Sequence, residues 1–480
     1  MLLATAAQAA VPVRIEGDRL TVVARRTPLL EILEGFAHAG VSVRADPSLD
    51  VLVTGSCHEM PMEQALDALL EPYAYILVWN LVPGPVGDLP RLAEMQVFAP
   101  GQKHQLQPLP ASTNRNFQVT RGTRTDGPLY VADEILVGVR GGVKVEEFRR
   151  LLAQIGGTVV DSVPALGIYR VRLLPGTNVD DLVAQLKRNP LLQEVEPNYA
   201  AVLPATPAQG AGADAAVAPV PARGATPVAI LDSGLLGGQG LDEAVIARYD
   251  AVLPGSALDD PSGHGTQMAL LAAGGVSPSG VEATAEGVPV VAVRAFDDQG
   301  TTSNFALMRA LQYALEQGAR VINLSWGSET RSAFVEAAVS YAQSRGAVVV
   351  AAAGNEPTGR AMYPAAYDGV VAVSALNEDQ ATPWDQSNYG DFVSVAAPGR
   401  ATFPVGHEGP PGAYAGTSIA SAYVARELAL YFTRHPTATA DAAIRALRAA
   451  ATDAGAKGRD PRYGYGALDA AARQRLRAAP

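Results

Sequence analysis

Val228-Ala229-Ile230-Leu231-Asp232-Ser233-Gly234 is an unbroken apolar run that stops on a carboxylate. A strand covered on both faces, as in a parallel sheet, reads as continuous rather than alternating hydrophobicity. Functional groups of such sheets gather at the carboxyl ends of the strands, and Asp232 stands at that end. A carboxylate there is placed to hydrogen-bond an imidazole. Taken alone, Asp-Ser-Gly is more often a turn, so the reading depends on partners elsewhere in the chain.

Three other stretches supply them. Ser262-Gly263-His264-Gly265-Thr266 precedes a helical pattern over Gln267 to Ala273, and glycines on either side leave the ring unencumbered. The other histidines are His38, His58, His104, His407 and His435, and none has a comparable local setting. A neutral imidazole is the natural base near neutral pH. Val348-Val349-Val350-Ala351-Ala352-Ala353-Gly354-Asn355 is a second apolar strand, ending in an amide that could donate to a developing oxyanion. Gly416-Thr417-Ser418-Ile419-Ala420 leads into the run Ser421 to Phe432, read as a long apolar helix. A helix N-terminus offers free N–H groups and positive dipole beside the Ser418 hydroxyl. That hydroxyl is a weak nucleophile without a base, an orienting carboxylate and an oxyanion donor. The Ser418 backbone N–H is the expected second donor beside Asn355.

The order Asp232, His264, Ser418 resembles that of subtilisin-like serine proteases. So do Ile322-Asn323-Leu324-Ser325-Trp326-Gly327, Tyr363-Pro364-Ala365, Ser387-Asn388-Tyr389-Gly390, Ala396-Ala397-Pro398-Gly399 and Tyr463-Gly464-Tyr465-Gly466. The resemblance spans roughly residues 224 to 475. It implies an α/β fold, a doubly wound and mostly parallel sheet, and a serine endopeptidase working through an acyl-enzyme. It also implies that a protein or peptide substrate lies extended against Leu324, Ser325, Trp326 and Gly327. The first specificity pocket would sit between that segment and Ala352, Ala353 and Gly354, with Met362 at its floor. A long side chain at the floor shortens the pocket and favours small or medium apolar residues before the cut. The sequence departs from the family at Gln267-Met268-Ala269-Leu270, where a second His and a Gly are usual, and at Ile419, where Met is common. Gly274 to Gly287 lacks the Asn-rich loop that holds calcium in some relatives. Asp259, Asp260, Asp297 and Asp298 are read as solvated turn acids, and neither metal nor cofactor is assigned.

Two small α+β domains are expected before this one. Residues 13–80 order as strand, helix, strand, strand, helix, strand, with Pro28 and Pro61 opening the helices in their first turns. With Asp46-Pro47 and Ala65-Leu66-Asp67-Ala68-Leu69-Leu70, they resemble the short N-terminal domain of secretins and TonB-dependent receptors. That implies a protein-interaction module with an envelope partner. Residues 81–128 read as a linker, with a possible strand around Met95 to Phe98. Residues 129–200 form a second such unit ending in Glu194-Val195-Glu196-Pro197-Asn198-Tyr199, which resembles a subtilisin propeptide, an intramolecular inhibitor and chaperone. An extended strand at its end could enter a substrate cleft by strand addition. Residues 201–225 read as an exposed Ala/Pro linker open to autoprocessing, and 226–480 as the catalytic domain.

The chain has 480 residues, 48% of them hydrophobic, which suits folded domains. A net charge of -11 without basic clusters argues against nucleic acid. Cys57 is the only cysteine, so no intrachain disulfide forms. No apolar run is long enough for a membrane span. Residues 1–12, with Ala7-Gln8-Ala9 in the form of a signal-peptidase site, read as a possible signal remnant, and the protein as exported from a bacterium. The rival readings are a catalytically silent scaffold of the same fold and a lipase or esterase. The second lacks Gly-x-Ser-x-Gly and has its serine last in chain order.

Overall fold

In the computed structural model, residues 13–49, 51–109, 116–122, 126–204 and 216–479 are described. The expected signal remnant over 1–12 lies outside them. The chain divides between Asn198 and Tyr199 into two compact units.

In the first unit, the strands Arg14–Glu16, Arg19–Pro28 and Leu52–Pro61 form one antiparallel sheet. Helices Leu29–His38 and Met62–Leu70 follow directly on two of those strands. Pro28 and Pro61 therefore stand one place earlier than expected. Each is the N-cap in an extended conformation and the last residue of a strand. A strand end tolerates a residue without an N–H. A second sheet orders Ala74–Val82, Leu89–Phe98, Ser42–Ala45 and Gln107–Pro108. Leu89–Phe98 is thus a full strand inside the stretch read as a linker, parallel to Ser42–Ala45 and antiparallel to Ala74–Val82. Its inward Leu92, Met95 and Val97 join the core made by both helices.

The rest of this unit packs helices Val145–Ile155 and Val179–Leu186 with strands Tyr130–Val139, Thr158–Val163, Ile168–Arg172 and the strand starting at Leu192. Its interior holds a charge, Glu134, which accepts from Arg172 and from Asn198 Nδ2 at 2.8 Å. Burial alone would raise this carboxyl, but Arg170 and Arg172 outweigh it and hold it below the usual carboxylate range. Asn198 and the two arginines thereby fix the closing strand to its neighbours.

The second unit is built on a seven-stranded parallel sheet. Its order is Val245–Asp250, Val290–Arg294, Val228–Asp232, Val321–Leu324, Val348–Ala352, Val371–Leu376 and Val395–Pro398. Every residue of Val228–Asp232 is buried, as the apolar run requires. That strand pairs with Val290–Arg294 on one side and Val321–Leu324 on the other, so the winding reverses beside it. A crevice opens at such a switch point, and Asp232 sits on its edge. Helices His264–Ala273 and Thr417–Arg434 pack together and against the sheet, and Asn304–Glu316 packs with Ala333–Ser344.

Helix Thr417–Arg434 is buried without a break from Thr417 to Phe432. The run read as apolar nonetheless contains Arg426 and Glu427. Glu427 accepts from Arg473 Nε at 3.2 Å and from Arg477 Nε at 3.3 Å, which ties the helix Ala470–Ala478 to the central one. Desolvating one carboxylate is offset here by the guanidinium groups that converge on it.

Ala218 differs from expectation too. It is buried in the main core rather than exposed in a linker. Its N–H donates to Gly240 at 2.9 Å, and a Cβ on Gly240 would lie 2.2 Å from the Ala216 carbonyl. A small side chain and a bare backbone let this segment sink in where a bulkier one would stay outside. Among the described residues no helix is long and apolar enough to cross a membrane.

Candidate active site

Asp232 ends its strand fully buried, and its Oδ1 meets His264 Nδ1 at 2.7 Å. Ser233 donates its N–H to the same oxygen at 2.7 Å, which fixes the carboxylate plane. Oδ2 is buried without a hydrogen bond, so the charge is left to act on the imidazole. His264 is the first residue of its helix. Gly263 precedes it with φ 79°, where a side chain would be strained, and a Cβ there would lie 1.9 Å from the Gly406 carbonyl. This is the physical need for the glycine before the histidine.

Asp260 is one of the acids read as a solvated turn, yet it is buried and organises the loop. Its Oδ1 accepts from Ser233 Oγ at 2.7 Å and Gly263 N at 2.9 Å. Its Oδ2 accepts from Thr266 N at 2.8 Å and Thr266 Oγ1 at 2.6 Å. Ser233 also accepts from Gly265 N at 2.8 Å, so one network joins the Asp232 and His264 loops. Asp297 is buried as well, and Asp259 and Asp298 pair with the buried Arg294. No group of three metal-binding side chains gathers among the described residues.

Burial pulls the His264 proton affinity down, but Asp232 first, then Asp260 and Glu408, reverse this, and the ring titrates above its usual 6.5. A base must be neutral to accept a proton, so activity should fall as pH drops through that raised value. The acid limb of a kcat/KM–pH profile is expected to have its midpoint above 6.5. A midpoint at or below it would contradict the pairing with Asp232.

Ser418 is the second residue of helix Thr417–Arg434, and its Oγ donates to the Ser325 carbonyl at 3.0 Å. Asn355 lies just beyond strand Val348–Ala352. Its Oδ1 accepts from Thr417 N at 3.0 Å and Thr417 Oγ1 at 2.8 Å. That orients the amide, and Nδ2 stands 3.3 Å from where a Cβ on Gly416 would be. Asn355 Nδ2 makes no hydrogen bond among the described residues, and is thus a spare donor beside Ser418.

Leu324, Ser325 and Trp326 continue from their strand as a buried segment, and Ser328 exchanges backbone bonds with Tyr363 at 2.9 and 2.7 Å. Ala352 and Ala353 are buried next to Gly354, whose carbonyl accepts from Asn388 N at 2.9 Å. Met362 lies between the two segments, 3.3 Å from a Cβ built on either Gly327 or Gly354. The crevice also holds a strand. Ala200, Ala201 and Val202 pair antiparallel with Ser303, Thr302 and Thr301, and Leu203 N donates to Gly300 at 2.9 Å.

Sequence reading passed over His407. It is buried, with its ring 4.8 Å from that of His264. Its loop lies over a hundred residues from His264 in sequence, so no local pattern could mark it.

Breaking an amide by acyl transfer needs a polarised hydroxyl, a base held in one tautomer and donors for an oxyanion. The carboxyl edge of this sheet carries groups suited to each need, and fold and site together define a serine peptidase. Comparison with known proteins agrees. The subtilase family model matches residues 224–466, and that of the fervidolysin N-terminal prodomain matches 118–198. A thermophilic serine proteinase of Bacillus sp. (strain AK1) is 33% identical over 318 residues, covering 63% of this chain and 78% of that one. The minor extracellular protease Epr of Bacillus subtilis is 31% identical over 242 residues, covering 50% of this chain but 37% of Epr. Fervidolysin from Fervidobacterium pennivorans, a keratinolytic enzyme related to subtilisin, superposes with a TM-score of 0.60 at 24% identity. The match covers 77% of this chain and 64% of fervidolysin. The chain belongs to the subtilase family: it is a subtilisin-like serine endopeptidase with an N-terminal prodomain.

Proposed function

We propose that Ser418 Oγ attacks the scissile carbonyl while His264 takes its proton and returns it to the leaving amine. Asp232 holds the imidazole and stabilises its charged form without being protonated. Asn355 Nδ2 and the Ser418 N–H receive the oxyanion. The observation that carries this reading is the 2.7 Å contact of Asp232 and His264 at the switch point of a parallel sheet. It is tested by incubating the enzyme with a mixed peptide pool and reading new termini by mass spectrometry. Intact peptides beside a hydrolysed ester would favour an esterase.

Asn355→Ala should leave substrate affinity within a few-fold and lower kcat by about 10²–10³, the scale known for the equivalent loss in subtilisin. A fall in KM-determined binding alone, with kcat kept, would contradict the oxyanion role.

The protein or peptide substrate runs extended along Leu324–Gly327, much as residues 200–203 lie along Thr301–Ser303. Met362, between Gly327 and Gly354, shortens the first specificity pocket. Met362→Ala should raise kcat/KM for Phe over Ala before the cut by about tenfold or more, given roughly 1–3 kcal/mol per buried methylene. An unchanged ratio would place the pocket elsewhere.

Residues 200–203 occupy the crevice as a substrate would, which supports a self-inhibited zymogen with its own prodomain as intramolecular inhibitor. The limits read for the prodomain-like unit and the catalytic domain, 129–200 and 226–480, suit this, with 201–225 as the region to be cut. The module over 13–80, whose sheet continues into Leu89–Phe98, is read from its sequence as a secretin/TonB-like interaction domain for an envelope partner. Export is favoured by relatives such as Epr, named as extracellular.

A further inference from the structure

His407 is a buried imidazole that the hydrolytic chemistry above does not use. It sits between the hairpin strands Arg400–Phe403 and Gly412–Ala415. Its loop is braced on both sides. His407 N donates to the Tyr414 hydroxyl at 2.9 Å, that hydroxyl donates to Pro410 at 2.7 Å, and Glu408 N donates to the Ser262 carbonyl at 3.1 Å. The ring therefore has one place to be.

Its two nitrogens face different partners. Nδ1 lies 3.0 Å from Ser262 Oγ and 3.3 Å from the Ser262 carbonyl, and Nε2 lies 3.2 Å from the Pro204 carbonyl. A carbonyl can only accept, so Nε2 must carry a hydrogen. Nδ1 of the neutral ring is then an acceptor, and the Ser262 hydroxyl can satisfy it. Burial first, then the His264 ring, hold His407 below the usual imidazole range, while the contacts to Pro204 and Ser262, and then Glu408, act the other way. The neutral Nε2–H form meets the Pro204 carbonyl and the Ser262 hydroxyl without a second cation beside His264, and leaves the 3.3 Å approach of Nδ1 to the Ser262 carbonyl unbonded.

Pro204 follows directly on the strand-paired residues 200–203. Pro204 has no N–H to donate, and the Ser325 carbonyl accepts from Ser418 Oγ at 3.0 Å. The Pro204 carbonyl is bonded to His407 Nε2 at 3.2 Å. The nucleophile's hydrogen is thus held by the Ser325 carbonyl, and the carbonyl at the end of the segment by His407.

We propose that His407 is a positioning residue that latches the chain's own residues 200–204 in the crevice through its Nε2–H and the Pro204 carbonyl. The inference rests on the protease reading for its meaning, but its test needs no catalysis. The full-length chain carrying Ser418→Ala stays in one piece, and amide hydrogen exchange can be followed at residues 200–203. Adding His407→Ala or His407→Leu should speed exchange at those amides by roughly five- to tenfold, the worth of one hydrogen bond. Adding His407→Gln, which keeps an N–H donor on a side chain of similar reach, should restore most of the protection. Exchange in strand Val228–Asp232 should stay slow throughout, which separates loss of the latch from loss of the fold.

Unchanged exchange at 200–203 in both apolar variants would overturn the proposal. So would a Gln variant as fast as the Ala one, since the ring would then act by bulk alone. Should either apolar variant lose protection in Val228–Asp232, the Gln variant decides: slow exchange at 200–203 supports the latch, and fast exchange there with an intact core overturns it. Failure of the parent to cleave peptides would count against the protease reading without altering these outcomes.

Discussion

Ser418→Ala should lower kcat for peptide hydrolysis by about 10⁶, the loss that subtilisin suffers when its serine is removed. In the proposed mechanism the hydroxyl forms the acyl-enzyme, and its neighbours have nothing to activate without it. Ser421, one helical turn on, cannot replace it, because its Oγ is fully buried and already donates to the Ser418 carbonyl at 2.9 Å. The residual rate should be what Asn355 and substrate binding supply. The same variant, expressed at full length beside the parent, should accumulate uncut between Tyr199 and Thr226 while the parent is processed. Identical fragmentation of both would mean that another protease makes the cut.

Asp232→Ala comes next, with an expected loss of about 10⁴ in kcat. Asp232 is the largest of the charges that raise the proton affinity of His264, and among the described residues its Oδ1 is the acceptor that faces Nδ1. Without it the ring is free to choose the tautomer with its hydrogen on Nε2, which is useless as a base. The acid limb of the pH profile should also move down, because burial then dominates the ring. The double variant Asp232→Ala, Ser418→Ala should be no slower than Ser418→Ala alone, since residues acting as one unit do not add. Additive losses would show that Asp232 serves structure rather than the reaction.

What could be read from sequence follows from how locally each feature is encoded. The run Val228–Asp232 announces a strand buried on both faces because each of its residues obeys one rule. Glycines mark His264 and Ser418 because the backbone there passes within contact distance of its neighbours, as Gly263 does beside Gly406. The elements before Tyr199 were legible for the same reason, with each helix showing its apolar face in consecutive turns. Of strand Leu89–Phe98 only the second half, Met95 to Phe98, was legible, since Pro83, Gly84, Pro85 and Gly87 suggest a linker before it and its pairing with Ser42–Ala45 is remote. Asp260 looks like any turn acid until Ser233 and Thr266 are placed around it. Glu427 looks like an interruption of an apolar helix until Arg473 and Arg477 arrive from the last helix. His407 carries no local mark at all. In each of these cases the partner that gives the residue its role is distant in sequence, and only folding brings the two together.

Activation of one nucleophile by one histidine is tested most directly by labelling with a small fluorophosphonate followed by peptide mass mapping. The activated parent should carry one adduct, on Ser418, and His264→Ala should label far more slowly or not at all. An adduct on another residue, or equal labelling of Ser418 with and without His264, would contradict it.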